Sequence, residues 1–94
     1  MGVTKHDRIA KEIAEKKGTE YHSDKGVDIR TSSQVIEVEV DPSTFREGVR
    51  QLQGSSKARY LAVPNELVGE AIEYTQGTGV GVMNERGRIK KRAH

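Results

Sequence analysis

The sequence predicts a single α/β domain in which helices flank a small mixed β-sheet. Three segments carry apolar residues at helical spacing, and four others alternate or run continuously as strands do. Their order along the chain, α-β-β-α-β-α-β, joins a hairpin to strands reached by helical crossovers. The 94 residues suffice for one domain, which we assign to residues 1–85, followed by a basic tail over residues 86–94.

The first predicted helix begins at Thr4, whose hydroxyl is a suitable N-cap with Asp7 three residues later. Gly18 is a typical C-terminal signal. The apolar face comprises Ile9, Ala10, Ile13 and Ala14. His6 projects from this inward face, where most histidines are simply packed and hydrogen-bonded.

A hairpin is predicted over residues 26–40, after a short strand around Tyr21. In the second arm, side chains alternate, so Glu37 and Glu39 share a face with Val35 and lie opposite Ile36, Val38 and Val40. In the first arm, Asp28 lies opposite Val27 and Ile29. If both apolar sets face the same core, the three carboxylates meet on the other side of the sheet.

Two further helices and two further strands complete the predicted domain. Pro42 ends the hairpin strand, Asp41 or Ser43 caps a helix over residues 43–53, and "ARYLAVP" predicts a strand covered on both faces. Asn65 caps the third helix, which Gly77 ends. Its predicted buried stripe is Leu67, Val68, Ala71 and Ile72. "VGVMNERGRI" predicts the last strand, a turn around residues 84–87 and a short return.

Composition excludes several classes of protein. The chain has no cysteine, so disulfides and thiolate metal sites are impossible. No apolar run approaches the ~18 residues of a membrane span, and we expect a soluble, cytoplasmic protein without membrane contact. Only 33% of the residues are hydrophobic, which leaves room for a homodimer whose partner supplies further burial.

The C-terminal segment is strongly basic. Its cations are Arg86, Arg88, Lys90, Lys91 and Arg92, without any acid, while the whole chain carries only +2. Such a segment suits contact with nucleic-acid phosphates, and the alternative is a solubilising, frayed terminus.

The acids of the hairpin require an explanation because the strand that carries two of them is predicted to be central. On a sheet with helices on both faces, an uncompensated carboxylate costs several kcal/mol to bury. The alternatives are therefore a solvated sheet face and a cleft that holds a metal ion.

These residues resemble the PD-(D/E)XK nuclease superfamily, with "GVDI" similar to its first acidic element and "IEVEV" similar to its (D/E)-x-K element. The similarity covers roughly residues 5–84 and implies a restriction-endonuclease-like core, closest in layout to small archaeal resolvases. It also implies that Mg²⁺ (or Mn²⁺) is bound by Asp28, Glu37 and the backbone carbonyl of Val38.

The resemblance implies further roles, with two departures. Glu39 stands where Lys is commonest, so it acts as a general base or as another metal ligand. His6 stands where relatives often have Glu, and the ligand it would contact is either a softer metal such as Mn²⁺ or a phosphate. Gln51 or Gln53 matches an accessory glutamine on the helix after the motif, and we take Gln51 as the candidate. The implied nucleic-acid contacts are Lys25, Arg30 and the basic residues of 86–92.

Three functional hypotheses follow. The first is a metal-dependent nuclease acting on nucleic acid, in particular DNA, with Asp28, Glu37 and Glu39 as catalytic residues. The second is a catalytically lapsed DNA-binding module of the same fold. The third is an interaction domain without nucleic acid, in which the acids form a solvated face.

Overall fold

Five strands form one mixed sheet whose spatial order is the same as their order along the chain. The computed structural model describes residues 4–22 and 27–94. The strands are β1 (Ile29–Arg30), β2 (Gln34–Val38), β3 (Ala58–Ala62), β4 (Gly81–Met83) and β5 (Ile89–Lys91). The three central strands β2, β3 and β4 are parallel, and β1 and β5 pair antiparallel at the two edges. The predicted α/β class and the interior position of β2 are confirmed.

Three helices cover the two faces of this sheet. They are α1 (Lys5–Lys16), α2 (Phe45–Leu52) and α3 (Val68–Tyr74). The apolar face of α1 packs on one side of the sheet, against Ile36, Val38 and Tyr60. The helices α2 and α3 contribute Phe45, Leu52 and Ala71 to a second core on the other side. Each parallel crossover therefore lays a helix over the sheet, as right-handed βαβ units do.

The helix ends follow the predicted signals in part. Thr4 accepts a hydrogen bond from the Asp7 amide at 3.0 Å, as predicted. A 3-10 turn over Pro42–Thr44 precedes α2, and the side chain of Asp41 caps it by accepting from the Ser43 amide. Asn65 does not cap α3, because it is itself the first residue of a second 3-10 turn, Asn65–Leu67. Of the predicted α3 stripe only Ala71 is fully buried.

The β1–β2 hairpin differs from the predicted pattern at its open end. Its register pairs Ile29 with Ile36, so a continued ladder would pair Val27 with Val38. The chain instead bends at Asp28, and the Val38 amide donates to the Asp28 carboxylate at 2.9 Å. Val27 consequently packs in the α2 core whereas Ile29 packs in the α1 core. The prediction that these two residues share a face is wrong because a side chain replaces the backbone in the ladder.

The basic C-terminal segment turns back along β4. After the turn at residues 84–87, β5 pairs Lys91 with Val82, and the His94 amide donates to the Gly79 carbonyl at 2.9 Å. The predicted return strand is thus present. Within residues 4–22 and 27–94, no helix is long and apolar enough to cross a membrane.

Candidate functional site

Three carboxylates are enclosed where β2 ends beside the bend of the hairpin. The side chains of Asp28, Glu37 and Glu39, hereafter the acid cluster, belong to residues that are only 7%, 8% and 9% exposed. Burial of this kind is rare for acids unless they are paired or bound to a metal ion. Of the two alternatives that the sequence leaves open, the solvated face is therefore not observed, since these side chains are covered.

Asp28 and Glu37 are held by each other's strand. The Asp28 amide donates to Glu37 Oε1 at 3.0 Å, and the amide of Val38, the residue after Glu37, donates to Asp28 Oδ2 at 2.9 Å. Asp28 directly precedes Ile29, and Glu37 directly follows Ile36, the partner of Ile29 in the register, so the two acids adjoin where the paired segment ends. The pair therefore has fixed positions, with the two carboxylates on neighbouring strands.

The acid cluster resists ionisation. Burial, followed by the nearby charge of Asp28, raises the pKa of Glu37 to about 8. Burial also raises the pKa of Asp28, although the Val38 amide and His6 act in the opposite direction. The clustered negative charge is thus unfavourable in the protein alone.

Glu39 extends the acid cluster toward α2. Burial raises its pKa, and the Thr44 hydroxyl partly offsets this. A Cβ built on Gly48 of α2 would lie 2.8 Å from Glu39 Oε2 and 2.9 Å from its Cγ. The glycine therefore leaves the space that the Glu39 side chain occupies.

A hydrogen-bonded chain connects the acid cluster to α1. His6 Nε2 lies 3.2 Å from Asp28 Oδ2, and His6 Nδ1 lies 3.2 Å from the Tyr21 hydroxyl. That hydroxyl donates in turn to Asp7 Oδ1 at 2.6 Å. The predicted inward direction of His6 agrees with these contacts, and its imidazole is held at both nitrogens.

Basic groups do not neutralise the acid cluster in the described part of the chain. There, no Lys or Arg nitrogen lies within 4.0 Å of these carboxylates, and His6 is their only basic contact at that distance. Equally, residues 4–22 and 27–94 contain no group of three or more His, Asp or Glu side chains arranged to hold a metal ion. The groups available to bind a ligand are the neighbouring carboxylates of Asp28 and Glu37, with the imidazole of His6 beside Asp28.

The predicted nucleic-acid contacts lie in different places around the sheet. Arg86 and Arg88 are exposed and follow Met83, which is level with Ala62 and Val38 in the register. They therefore lie at the same end of the parallel strands as the acid cluster, but beside β4 and β5 and not beside β2. Lys90 and Arg92 are exposed near β5, across the sheet from β1. Lys25 lies outside the described residues.

Arg30 and Gln51 lie together beside one small hollow. They line a hollow of about 190 Å³ with Val27, Val35, Gly54 and Ser55. Arg30 pairs with Val35 near the closed end of the hairpin. Gln51, the predicted accessory glutamine, therefore lies beside Arg30.

The side chain of Lys91 is hydrogen-bonded within the fold. Its ammonium donates to the Thr75 carbonyl and hydroxyl at 2.9 and 3.0 Å and to the Val80 carbonyl at 3.1 Å. These bonds tie β5 to the end of α3. The charge of Lys91 is thus used within the fold, unlike that of its exposed neighbour Lys90.

Substitution of Lys91 by Met is expected to lower the free energy of unfolding by about 1–3 kcal/mol, because bonds from a charged donor are lost and carbonyls are left unpaired. Lys90→Met is the matched control and should change stability by less than about 0.5 kcal/mol. Urea unfolding of both variants makes the comparison. Equal stabilities of the two variants would contradict this role of Lys91.

Sequence reasoning missed three residues that shape the site. Tyr21 and Asp7 hold His6, and Gly48 makes room for Glu39. Each acts on a residue at least nine positions away, except Asp7 beside His6, so neither spacing nor local propensity reveals it. The only available signal was a glycine in the middle of a predicted helix, which costs about 1 kcal/mol relative to Ala and usually has a packing reason.

Comparison with protein-family models, curated proteins and solved structures found no match to this chain. Functional inference therefore depends on the geometry and chemistry of the acid cluster.

Proposed function

We propose that this protein is a metal-dependent nuclease that hydrolyses phosphodiester bonds of nucleic acid, with DNA as the principal candidate. The observation that carries the proposal is the burial of Asp28, Glu37 and Glu39 together. Ionisation of these three enclosed carboxylates, whose pKa values are raised, destabilises the folded protein. A bound divalent cation would offset this electrostatic cost. The resemblance to the PD-(D/E)XK superfamily supports the same interpretation.

The donor set fits Mg²⁺ or Mn²⁺. Mg²⁺ takes oxygen ligands, commonly one or two carboxylates, and leaves its other positions to water and substrate phosphate. Asp28 and Glu37 are such a pair on neighbouring strands. Because the N–H and C=O of a strand residue point to the same side, the Val38 carbonyl faces the strand that carries Asp28. A cation held by Asp28 and Glu37 would supply a Lewis acid that polarises a phosphoryl oxygen and lowers the pKa of the attacking water.

Glu39 is the general base in this proposal. Its raised pKa brings the carboxylate closer to the neutral range in which proton transfer is efficient. It removes a proton from the attacking water as the water oxygen bonds to phosphorus and the bond to the leaving oxygen breaks. The absence of a side chain at Gly48 leaves the space that the Glu39 side chain occupies, which supports this role.

Exposed cations hold the nucleic-acid backbone. Arg86 and Arg88 follow β4 at the same end of the parallel strands as the acid cluster, and Arg30 extends the positive charge toward the closed end of the β1–β2 hairpin. Guanidinium groups bind phosphate oxygens in bidentate geometry. Lys90 and Arg92 extend the positive charge along β5.

Asp28→Asn is expected to reduce cleavage by at least 100-fold while it leaves DNA affinity within about 3-fold, because the amide keeps an oxygen for the Val38 amide but loses the ligand charge. The assay presents duplex, flap, junction and single-stranded DNA, and RNA, with Mg²⁺ or Mn²⁺. Glu70→Gln, an exposed acid of α3, is the control. Equal cleavage by Asp28→Asn and wild type would contradict the proposal.

A catalytically lapsed DNA-binding module is the second candidate. It is favoured by Glu39 in the position that resembles the family's Lys, and by the absence of Lys contacts to the acid cluster within residues 4–22 and 27–94. This alternative expects no cleavage with either metal, and DNA affinity that falls steeply with salt. Failure to bind any nucleic acid at low salt would contradict both candidates and leave an interaction domain without nucleic acid, in which the acids are buried and not on a solvated face.

A cytoplasmic location and a homodimer complete the proposal. The cysteine-free sequence suits a reducing compartment, and a symmetric dimer would place two sites on two strands. Sedimentation with and without DNA tests the dimer.

A further inference from the structure

The two nitrogens of His6 have different neighbours, and these neighbours fix where its protons lie. The Tyr21 hydroxyl carries a single hydrogen, which it donates to Asp7 Oδ1 at 2.6 Å. The Asp7 carboxylate oxygen is the acceptor in this bond, since a carboxylate has no hydrogen to donate. The Tyr21 oxygen therefore only accepts from His6 Nδ1, 3.2 Å away, so Nδ1 carries a hydrogen.

The consequence falls on the other nitrogen. With the hydrogen of a neutral imidazole at Nδ1, the lone pair of Nε2 faces Asp28 Oδ2 at 3.2 Å. Two facing lone pairs require a proton between them or a shared cation. Tyr21 and Asp7 thus act on the acid cluster through His6, although neither contacts it by a hydrogen bond in the described residues.

The spacing of these two atoms suits shared coordination. Neighbouring ligands of an octahedral ion with bonds of ~2.1 Å lie about 3.0 Å apart, close to the observed 3.2 Å between Nε2 and Oδ2. An imidazole whose far N–H is hydrogen-bonded to an oxygen is also the usual arrangement of a metal-bound histidine, because that bond fixes the tautomer and the ring orientation.

We propose that Tyr21 and Asp7 are positioning residues that present His6 Nε2, together with Asp28, as a nitrogen and oxygen ligand pair, so that the site prefers a first-row transition ion such as Mn²⁺ to Mg²⁺. This inference rests on the proposed function, since it specifies the cation of the same site. Imidazole suits transition ions, whereas Mg²⁺ prefers carboxylate, carbonyl and water oxygens.

The test compares Mn²⁺ and Mg²⁺ affinities by calorimetry in wild type, His6→Gln, Tyr21→Phe and the control Tyr74→Phe, a tyrosine exposed on α3. Wild type and control should bind Mn²⁺ at least 10-fold more tightly than Mg²⁺. His6→Gln should remove this preference through a loss of Mn²⁺ affinity, and Tyr21→Phe should reduce it about 10-fold, as the loss of outer-shell partners does.

Long-range ¹H–¹⁵N spectra give an independent readout of the positioning role. Metal-free wild type should show Nδ1 of His6 protonated, and Tyr21→Phe should shift the hydrogen of neutral His6 to Nε2, where it bonds to Asp28. Equal Mn²⁺ preference in His6→Gln and wild type, with Asp28→Asn abolishing both affinities, would overturn this inference and leave the proposed function intact. Failure of wild type to bind either ion would overturn both.

Discussion

Substitution of Glu37 by Gln is expected to raise the free energy of unfolding of the metal-free protein by about 3 kcal/mol at pH 9. Burial and the charge of Asp28 raise the pKa of Glu37 to about 8 from an ordinary 4.5. At about 1.4 kcal/mol for each pH unit, the whole shift corresponds to about 5 kcal/mol, which solvent screening at this partly hydrated site reduces to about 3 kcal/mol. Gln keeps the oxygen that accepts from the Asp28 amide at 3.0 Å. The substitution therefore removes the buried charge and retains the hydrogen bond.

The pH dependence has a defined sign. Between pH 4.5 and about 8 the folded protein retains a proton on Glu37 that the unfolded chain has released. Stability from this group is complete below pH 4.5, declines as pH rises and is lost above about pH 8. Glu37→Gln should therefore have a flatter stability profile than wild type over this range.

Urea unfolding in the presence of a chelator, at several pH values from 5 to 9, measures both effects. The exposed Glu70→Gln on α3 is the matched control and should follow wild type within about 0.5 kcal/mol. A Glu37→Gln protein that is less stable than wild type at pH 9, or that keeps the full pH slope, would show that Glu37 is not a strained buried charge.

Two helical glycines provide the second large effect, with opposite signs. Gly48→Ala is expected to lower the free energy of unfolding by about 1–3 kcal/mol, because an added Cβ would meet Glu39 Oε2 at 2.8 Å and Leu61 Cδ1 at 3.0 Å. Gly69→Ala in α3 meets nothing within 4 Å and should raise it by about 0.5–1 kcal/mol, since Ala is the better helix former.

A double-mutant cycle assigns the Gly48 effect to Glu39. Glu39→Ala removes the atoms nearest to the new Cβ, so Gly48→Ala should cost at least about 1 kcal/mol less in that background. Unfolding measurements on the four proteins give the coupling. If Gly48→Ala is as stabilising as Gly69→Ala, then α2 does not hold Glu39 in the position described.

The fold was predictable from the sequence where a residue's role follows from its immediate neighbours. Alternation along residues 35–40 correctly predicted that Ile36 and Val38 face one side of the sheet and the glutamates face the other. The Pro and Gly positions correctly predicted where one element ends and the next begins. The prediction was wrong at Val27 because it assumed a regular strand, and the carboxylate of Asp28 takes a place in the ladder that backbone would otherwise fill. Periodicity carries no information about such a substitution.

The candidate site was predictable only as a set of acids. The register of the hairpin brings Asp28 to Glu37, and this follows from matching apolar faces. Tyr21 positions His6, and Gly48 leaves room for Glu39. Both contacts depend on how α1 and α2 lie over the sheet, which no short segment determines. The superfamily resemblance concerns the acids and the order of elements, and it stays a prediction.

The central claim is that Asp28 and Glu37 hold one divalent cation, and amide spectra titrated with Mn²⁺ and Mg²⁺ test it most directly. We expect Mn²⁺ to broaden, and Mg²⁺ to shift, the amide signals of residues 27–29 and 36–40 selectively, and we expect Asp28→Asn to abolish both responses. Unchanged signals in these two segments at millimolar concentrations of either ion would contradict it.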